Sequence, residues 1–196
     1  MNFKLVVASG NSSKLTEIRQ MVPQSFEIVS MKELGFTDDI PETADTFAGN
    51  ALIKARYISN KFAVNCLADD SGLEVEALGG RPGVFSARFA GPGSSDQQNI
   101  NRLMAEMEGV TNRKARFVAV LALVLDGNEY LFEGFVNGTI APKQTGNSGF
   151  GYDPVFIPEG YSATFGILSS EIKNSLSHRR MALDKMVAFL NQRLLQ

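Results

Sequence analysis

Leu5-Val6-Val7-Ala8-Ser9-Gly10-Asn11-Ser12-Ser13-Lys14-Leu15 decides how this chain folds. Leu5 to Ala8 is an unbroken apolar run, the pattern of a strand buried on both faces, and Ser9-Gly10-Asn11 ends it. Leu15, Ile18 and Val22 then recur at helical spacing, so the stretch reads as strand, polar turn and helix. Such a strand belongs in a sheet flanked by helices, the α/β class.

Outward from that unit, Phe26 to Val29 reads as a short strand closed by a helical turn with Ser30 and Glu33 at capping-box spacing. From Thr46 to Phe62 the residues Phe47, Ala51, Ala55, Ile58 and Phe62 mark a helix. Its second stripe, Asn50, Lys54, Tyr57 and Lys61, is polar and offered away from the buried side. Cys66-Leu67-Ala68 and Leu73-Glu74-Val75 read as strand pieces joined through Asp69-Asp70-Ser71-Gly72. Gly79 to Ser95 is rich in Gly and Pro and reads as a long loop, after which Ser95 caps a helix carrying Ile100, Leu103, Met104 and Met107. Phe117 to Leu125, the turn Asp126-Gly127 and Glu129 to Val136 form an antiparallel pair, so the sheet is mixed. Thr145 to Tyr152 leads into Val155-Phe156-Ile157, and a last helix shows Leu183, Val187, Leu190 and Leu194. No repeat, linker or low-complexity run interrupts residues 1–196, which read as one domain.

With 44% of 196 residues hydrophobic, the chain has enough apolar surface for a sizeable core. A net charge of -2 gives no global basic field, which argues against sequence-independent binding to nucleic acid; any polyanion must meet a local cluster. Cys66 is the single cysteine, so an internal disulfide is impossible, and no Cys/His spacing supports zinc. No apolar stretch approaches the ~18 residues that span a bilayer, and Met1-Asn2-Phe3-Lys4 does not open a signal peptide. A cytoplasmic protein with no membrane partner is the expectation.

Five segments carry candidate chemistry. Ser9, Gly10, Asn11, Ser12, Ser13 and Lys14 sit where a strand turns into a helix, so backbone N–H groups and the helix dipole favour phosphate there. Asp69 and Asp70 are consecutive on a strand end, so one faces a given cleft and its neighbour supports from behind. Two acids there, with Glu42 as another, suit a hard cation such as Mg2+, which needs only one or two carboxylates beside water and substrate phosphates. Asn50 and Lys54, four residues apart, project together. In Gly149-Phe150-Gly151-Tyr152-Asp153, glycines admit a flat group and the rings offer it a stacking surface. In Lys173 to Arg180, with Ser177 as N-cap, His178, Arg179 and Arg180 fall in a first helical turn, where the dipole disfavours cations; a bound polyanion or a base carbonyl would supply the reason. Each segment alone also fits an ordinary turn or solvated face.

Five ordered blocks, SGNSSK (9–14), ETADTFAGNALIKA (42–55), ADDSGLEVEALGGRPGVFSARFAG (68–91), GFGYDPVF (149–156) and EIKNSLSHR (171–179), make the chain resemble the inosine triphosphate pyrophosphatase family. Phe85 and Phe89 stand where tyrosines are common in that family. The resemblance implies a long mixed sheet with flanking helices in two lobes, a cleft between them, and commonly a homodimer. It implies cleavage of non-standard purine triphosphates such as ITP, dITP and XTP to monophosphate and pyrophosphate with Mg2+. Asp70 would bind the metal and act as general base, with Glu42 as metal partner and Asp69 beside it. Lys14, Lys54 and Lys173 would hold phosphates, Ser9 to Lys14 would wrap the triphosphate and Ser71 would add a contact. Phe150, Gly151, Tyr152 and Asp153, with His178 and Arg179, would hold and read the base. A pyrophosphatase for pyrimidine or modified triphosphates and a non-catalytic nucleotide-binding regulator remain as alternatives. Neither a Walker A loop nor the kinase motifs are present.

Overall fold

The computed structural model describes residues 3–194. Six strands form one mixed sheet in the order β2-β1-β3-β4-β5-β6: β1 (Phe3–Val7), β2 (Phe26–Ser30), β3 (Cys66–Val75), β4 (Lys114–Leu125), β5 (Asn128–Ile140) and β6 (Phe156–Pro158). β1 runs parallel to β2, with Phe3 opposite Phe26, and to β3, with Val7 opposite Leu67, while β5 and β6 are antiparallel. The helices are α1 (Ser12–Met21), α2 (Phe47–Phe62), α3 (Asp96–Glu106), α4 (Ser170–Leu176) and α5 (His178–Leu194). None of the described helices is long and apolar enough to cross a membrane.

Local chemistry starts and stops these elements, and at Ser95, at Ser30 with Glu33 and at Asp126-Gly127 it does so as the sequence reading expects. Thr46 Oγ1 accepts from Gly49 N at α2, and Ser95 with Gln98 forms a reciprocal capping box at α3. Ser30 and Glu33 bond reciprocally after β2. Between β4 and β5, Asp126 and Gly127 both have positive φ, 50° and 79°, the two-residue turn whose twist matches a hairpin.

The chain divides into two compact units. The first comprises the described residues up to Asp70, Ala119–Gly134 and the described residues from Arg179 onward; the second comprises Ser71–Val118 and Phe135–His178. In the first, alternation along the strands feeds two cores. Leu5, Val7, Leu67, Leu121 and Leu123 pack with Ile18 of α1 and Leu183, Met186 and Leu190 of α5. Val6, Ala8, Cys66, Ala68, Ala122 and Val124 pack with Ala51, Ala55 and Ile58 of α2. The second unit has one core, where Leu73, Val75, Phe117, Val136 and Phe156 meet Ile100, Leu103 and Met107.

Three local readings are corrected. Asp69-Asp70-Ser71-Gly72 is not a turn at a strand end but the middle of the continuous strand β3. Gly79 to Ser95 contains a 3-10 helix, Gly83–Arg88, whose Ser86 hydroxyl donates to the Gly83 carbonyl and accepts from Leu73 N. The polar stripe of α2 is not solvated throughout, since Asn50 and Lys54 are buried and Tyr57 is exposed.

Candidate active site

β3 and α1, α2 and α5 build one charged cluster in the first unit. Side-chain alternation on β3 gives Asp69 the same face as Leu67, toward α1 and α5, and gives Asp70 the face of Ala68, toward α2. Asp69 accordingly pairs with Lys14 Nζ of α1 at 2.6 Å and with Arg179 Nε of α5 at 2.8 Å. Asp70 Oδ1 accepts from Lys54 Nζ of α2 at 3.2 Å, and the same ammonium donates to Glu42 Oε1 at 2.7 Å and to the Asp69 carbonyl at 2.8 Å.

The two aspartates are electrostatic opposites. Burial raises the Asp69 carboxyl, but Arg179 and Lys14 outweigh it and hold the group well below the usual carboxylate range. At Asp70 burial prevails over Lys54 and Lys14, and the carboxyl lies above its ordinary value. Burial likewise lowers the Lys14 ammonium despite Asp69, whereas at Lys54 the opposing pull of Asp70 and Glu42 overcomes burial and raises it. Asp70 Oδ2 is buried and has no hydrogen-bond partner among the described residues.

Arg179 is 1% exposed, and its guanidinium also donates to Glu17 of α1. The cations in the first turn of α5 thus have anions within the protein: Asp69 and Glu17 answer Arg179, and Asp184 answers Arg180 at 2.8 Å. Protein carboxylates therefore supply a reason for these cations beside the bound polyanion or base carbonyl that the sequence reading offers. Glu17 was missed because one acid in an amphipathic helix carries no signal beyond its place three residues after Lys14, one turn along α1.

The Ser9 to Lys14 turn is closed by its own side chains. Asn11 Oδ1 caps α1 by accepting from Ser13 N at 2.9 Å and Lys14 N at 3.1 Å, and Ser9 Oγ accepts from Asn11 N at 3.2 Å. These three N–H groups are engaged within the protein. Gly10, Asn11 and Ser12 are exposed, and Ser9, Ser13 and Lys14 are partly so.

The second unit holds another cluster. Asp153 Oδ2 accepts from Phe150 N at 2.9 Å and from Lys173 Nζ of α4 at 2.7 Å, and that ammonium lies 4.6 Å from the Phe150 ring centre. Gly149 has φ +80°, and a Cβ there would stand 2.0 Å from Asp153 Oδ2, so glycine is required on both counts. Gly151 N donates to Asp96 at 2.7 Å. Tyr152 does not offer a stacking face: it is buried among Val155, Phe156 and Phe165, with its hydroxyl donating to the Ser86 carbonyl at 2.9 Å. Phe150 is half-buried, as is Ser71 on β3. His178 is buried and stacks on Phe117, ring centres 5.0 Å apart and planes 12° apart. Helix α4, which carries Lys173, was missed, its seven residues being too few to show periodicity.

Glu42, Lys14, Lys54, Asp69, Asp70 and Arg179 are thus brought into one cluster, and Phe150, Asp153 and Lys173 into another. A sequence model of the Ham1 family matches residues 5–189. The chain is 47% identical over 186 residues to the dITP/XTP pyrophosphatase of Flavobacterium psychrophilum, covering 95% of this chain and 98% of the relative. Identity is also 47%, over 188 residues, to the dITP/XTP pyrophosphatase of Porphyromonas gingivalis, covering 95% and 97%. The solved structure of the Staphylococcus aureus Ham1 protein superposes with a TM-score of 0.89 at 38% identity, covering 97% of this chain and 99% of that one. With sequence and backbone matched over nearly their whole length, the chain belongs to the Ham1 family.

Proposed function

We propose that this chain hydrolyses non-standard purine nucleoside triphosphates, dITP, XTP and ITP, to the nucleoside monophosphate and pyrophosphate in a Mg2+-dependent reaction. Asp70 carries the proposal. It is a carboxylate 6% exposed whose Oδ2 lacks a partner among the described residues, in a chain of the same family as proteins named dITP/XTP pyrophosphatases. A buried oxygen left bare costs free energy unless something outside the chain satisfies it.

The donors present fit a hard divalent cation. Glu42 and Asp70 are drawn to one ammonium, that of Lys54, and would hold the ion. Two carboxylates suffice for an ion that keeps water and substrate phosphate as its further ligands. Lys14, Lys54 and Arg179 face Glu17, Glu42, Asp69 and Asp70, a formal excess of one negative charge. The cluster therefore attracts a divalent cation rather than a bare triphosphate, and an ion held there would turn the formal charge positive toward the phosphates. When bound, the ion supplies charge neutralisation on the phosphates.

Water attacks the α-phosphorus, the bond from that phosphorus to the bridging oxygen breaks, and pyrophosphate leaves with the bonding electrons. Asp70 takes the proton of the attacking water, a task suited to a carboxylate made more basic by burial. Lys14 and Lys54 hold phosphates and offset charge on the departing group. Arg179 and Glu17 fix Asp69, which fixes Lys14. Lys173 takes a phosphate, and Phe150, Gly151, Asp153 and His178 receive the base. Hypoxanthine and xanthine present an oxygen acceptor at the 6-position where adenine presents an amino donor, so a donor at that position is satisfied by the first two and left unpaired by the third. Such a mismatch supports discrimination of roughly 10⁴-fold. Guanine, with its own 6-oxo group, is rejected at its 2-amino group.

A panel of ITP, dITP, XTP, ATP, GTP, dTTP and UTP, scored for pyrophosphate against orthophosphate with and without Mg2+, tests this reading. The three non-standard purines should release pyrophosphate, and only with the metal. Comparable turnover of ATP and ITP, or release of orthophosphate, would overturn it. A homodimer and a cytoplasmic setting belong to the same proposal; sedimentation velocity tests the first, and the lone buried Cys66 accords with the second.

A further inference from the structure

The segment that brings Glu42 to the cluster has no structure of its own: residues 36–46 form neither helix nor strand. It is nevertheless tied to the first turn of α2 at several points. Asn50 Oδ1 accepts from Ala44 N at 2.9 Å, Asn50 N donates to the Thr46 carbonyl at 3.0 Å, and Thr46 Oγ1 accepts from Gly49 N at 3.1 Å. The contact is close enough to exclude a side chain at residue 49, since a Cβ on Gly49 would lie 2.5 Å from the Ala44 Cβ. Ala44 is two residues from Glu42, within about 7 Å of extended chain. Fixing Ala44 therefore restricts where the Glu42 carboxylate can go.

Asn50 is fully buried, and its Nδ2 has no partner among the described residues. An apolar side chain would fill the same space without leaving a donor bare. The position therefore requires the amide oxygen, the one atom that holds Ala44 N. We infer that Asn50 and Gly49 are positioning residues: the first turn of α2 clamps residues 42–46 and so sets the affinity of the Glu42–Asp70 pair for a divalent cation. This rests on the reading of Glu42 as a metal ligand. Residues that orient a metal ligand typically change affinity 10- to 100-fold when lost, although they never touch the ion.

The test compares the wild type with Asn50→Ala, Gly49→Ala and Glu42→Gln. Mn2+ binding to the nucleotide-free protein is followed by electron paramagnetic resonance. The Mg2+ concentration for half-maximal ITP turnover, the KM for ITP and the melting temperature are measured alongside. Asn50→Ala should weaken Mn2+ binding and raise the half-saturating Mg2+ concentration by about 10-fold or more, with little change in turnover at saturating metal. Gly49→Ala should do the same without touching the buried amide. Loss of thermal stability with unmoved metal curves in both clamp variants would overturn the inference. If Glu42→Gln shifts the metal curves and the clamp variants do not, the clamp alone fails. If Glu42→Gln leaves them unmoved, the metal assignment fails and takes the clamp with it.

Discussion

Replacing Asp69 by asparagine and, in a separate variant, Asp70 by asparagine should have opposite consequences although the residues are neighbours. The Asp69 carboxylate answers two cations, Lys14 at 2.6 Å and Arg179 at 2.8 Å, and the residue is 1% exposed. Removing one member of a buried ion pair costs about 3–5 kcal/mol, because the remaining charge is left without its counter-ion. Glu17 still answers Arg179, which favours the lower end, about 3 kcal/mol. For a chain of this length that lowers the melting temperature by about 6–12 °C.

Asp70 is raised because burial outweighs Lys54, so its charged form is less favourable in the fold than in water. Its ionisation then costs stability at any pH above its ordinary value of 3.8, and asparagine removes that cost. Lys54 keeps Glu42 and the Asp69 carbonyl. Asp70→Asn should melt within about 1 kcal/mol of wild type while losing about 10²- to 10⁴-fold in pyrophosphate release, the share of a general base. For Asp69 the sign is reversed: its folded value is depressed, so its contribution is present above pH 3.8 and is lost as the pH falls toward the depressed value. The melting deficit of Asp69→Asn should therefore be full at pH 7.5 and shrink in acid. Melts followed by circular dichroism in acid and at pH 7.5, with a pyrophosphate assay at pH 7.5, decide the matter. Asp70→Asn losing as much stability as Asp69→Asn, or Asp69→Asn melting like wild type, would refute the reasoning.

Burial pushes the Cys66 thiol up to about 12, so near pH 8 almost none is thiolate. A disulfide reagent at pH 8 should label it only after denaturation; prompt labelling of the native protein would contradict its placement. Gly149→Ala forces a left-handed backbone on a side chain and drives its Cβ into Asp153, at a cost of at least about 1–2 kcal/mol. It should also raise the KM for ITP by freeing Lys173, so a wild-type KM would separate Asp153 and Lys173 from substrate binding. Tyr152→Phe removes the donor that satisfies the Ser86 carbonyl and should cost about 0.5–1.5 kcal/mol in a denaturant titration, with the fold unchanged by circular dichroism.

Much of the fold is legible along the chain because it is written in local patterns. The run Leu5 to Ala8, the spacing of Leu15 and Ile18, the cap Ser95 and the turn Asp126-Gly127 each act over a few residues, and each appears in the structure at its place in the sequence. β3 misled because two aspartates, a serine and a glycine look like a turn. The two aspartates stand inside the strand paired with cations carried by α1, α2 and α5, which local pattern does not show. Ten residues, Phe47 to Arg56, likewise do not reveal that Asn50 faces inward to hold Ala44.

The sequence by itself determined the strand and helix order, the mixed sheet and, through its ordered blocks, the family. The alternation of side chains also dictated that Asp69 and Asp70 part company. Only the tertiary structure decided which charge meets which, leaving Asp69 saturated by Lys14 and Arg179 and Asp70 with a bare oxygen. The physical reason is range: caps and periodicity act within a turn or two, whereas Glu17 and Arg179 lie 162 residues apart and meet only because two helices pack on one face of a common sheet.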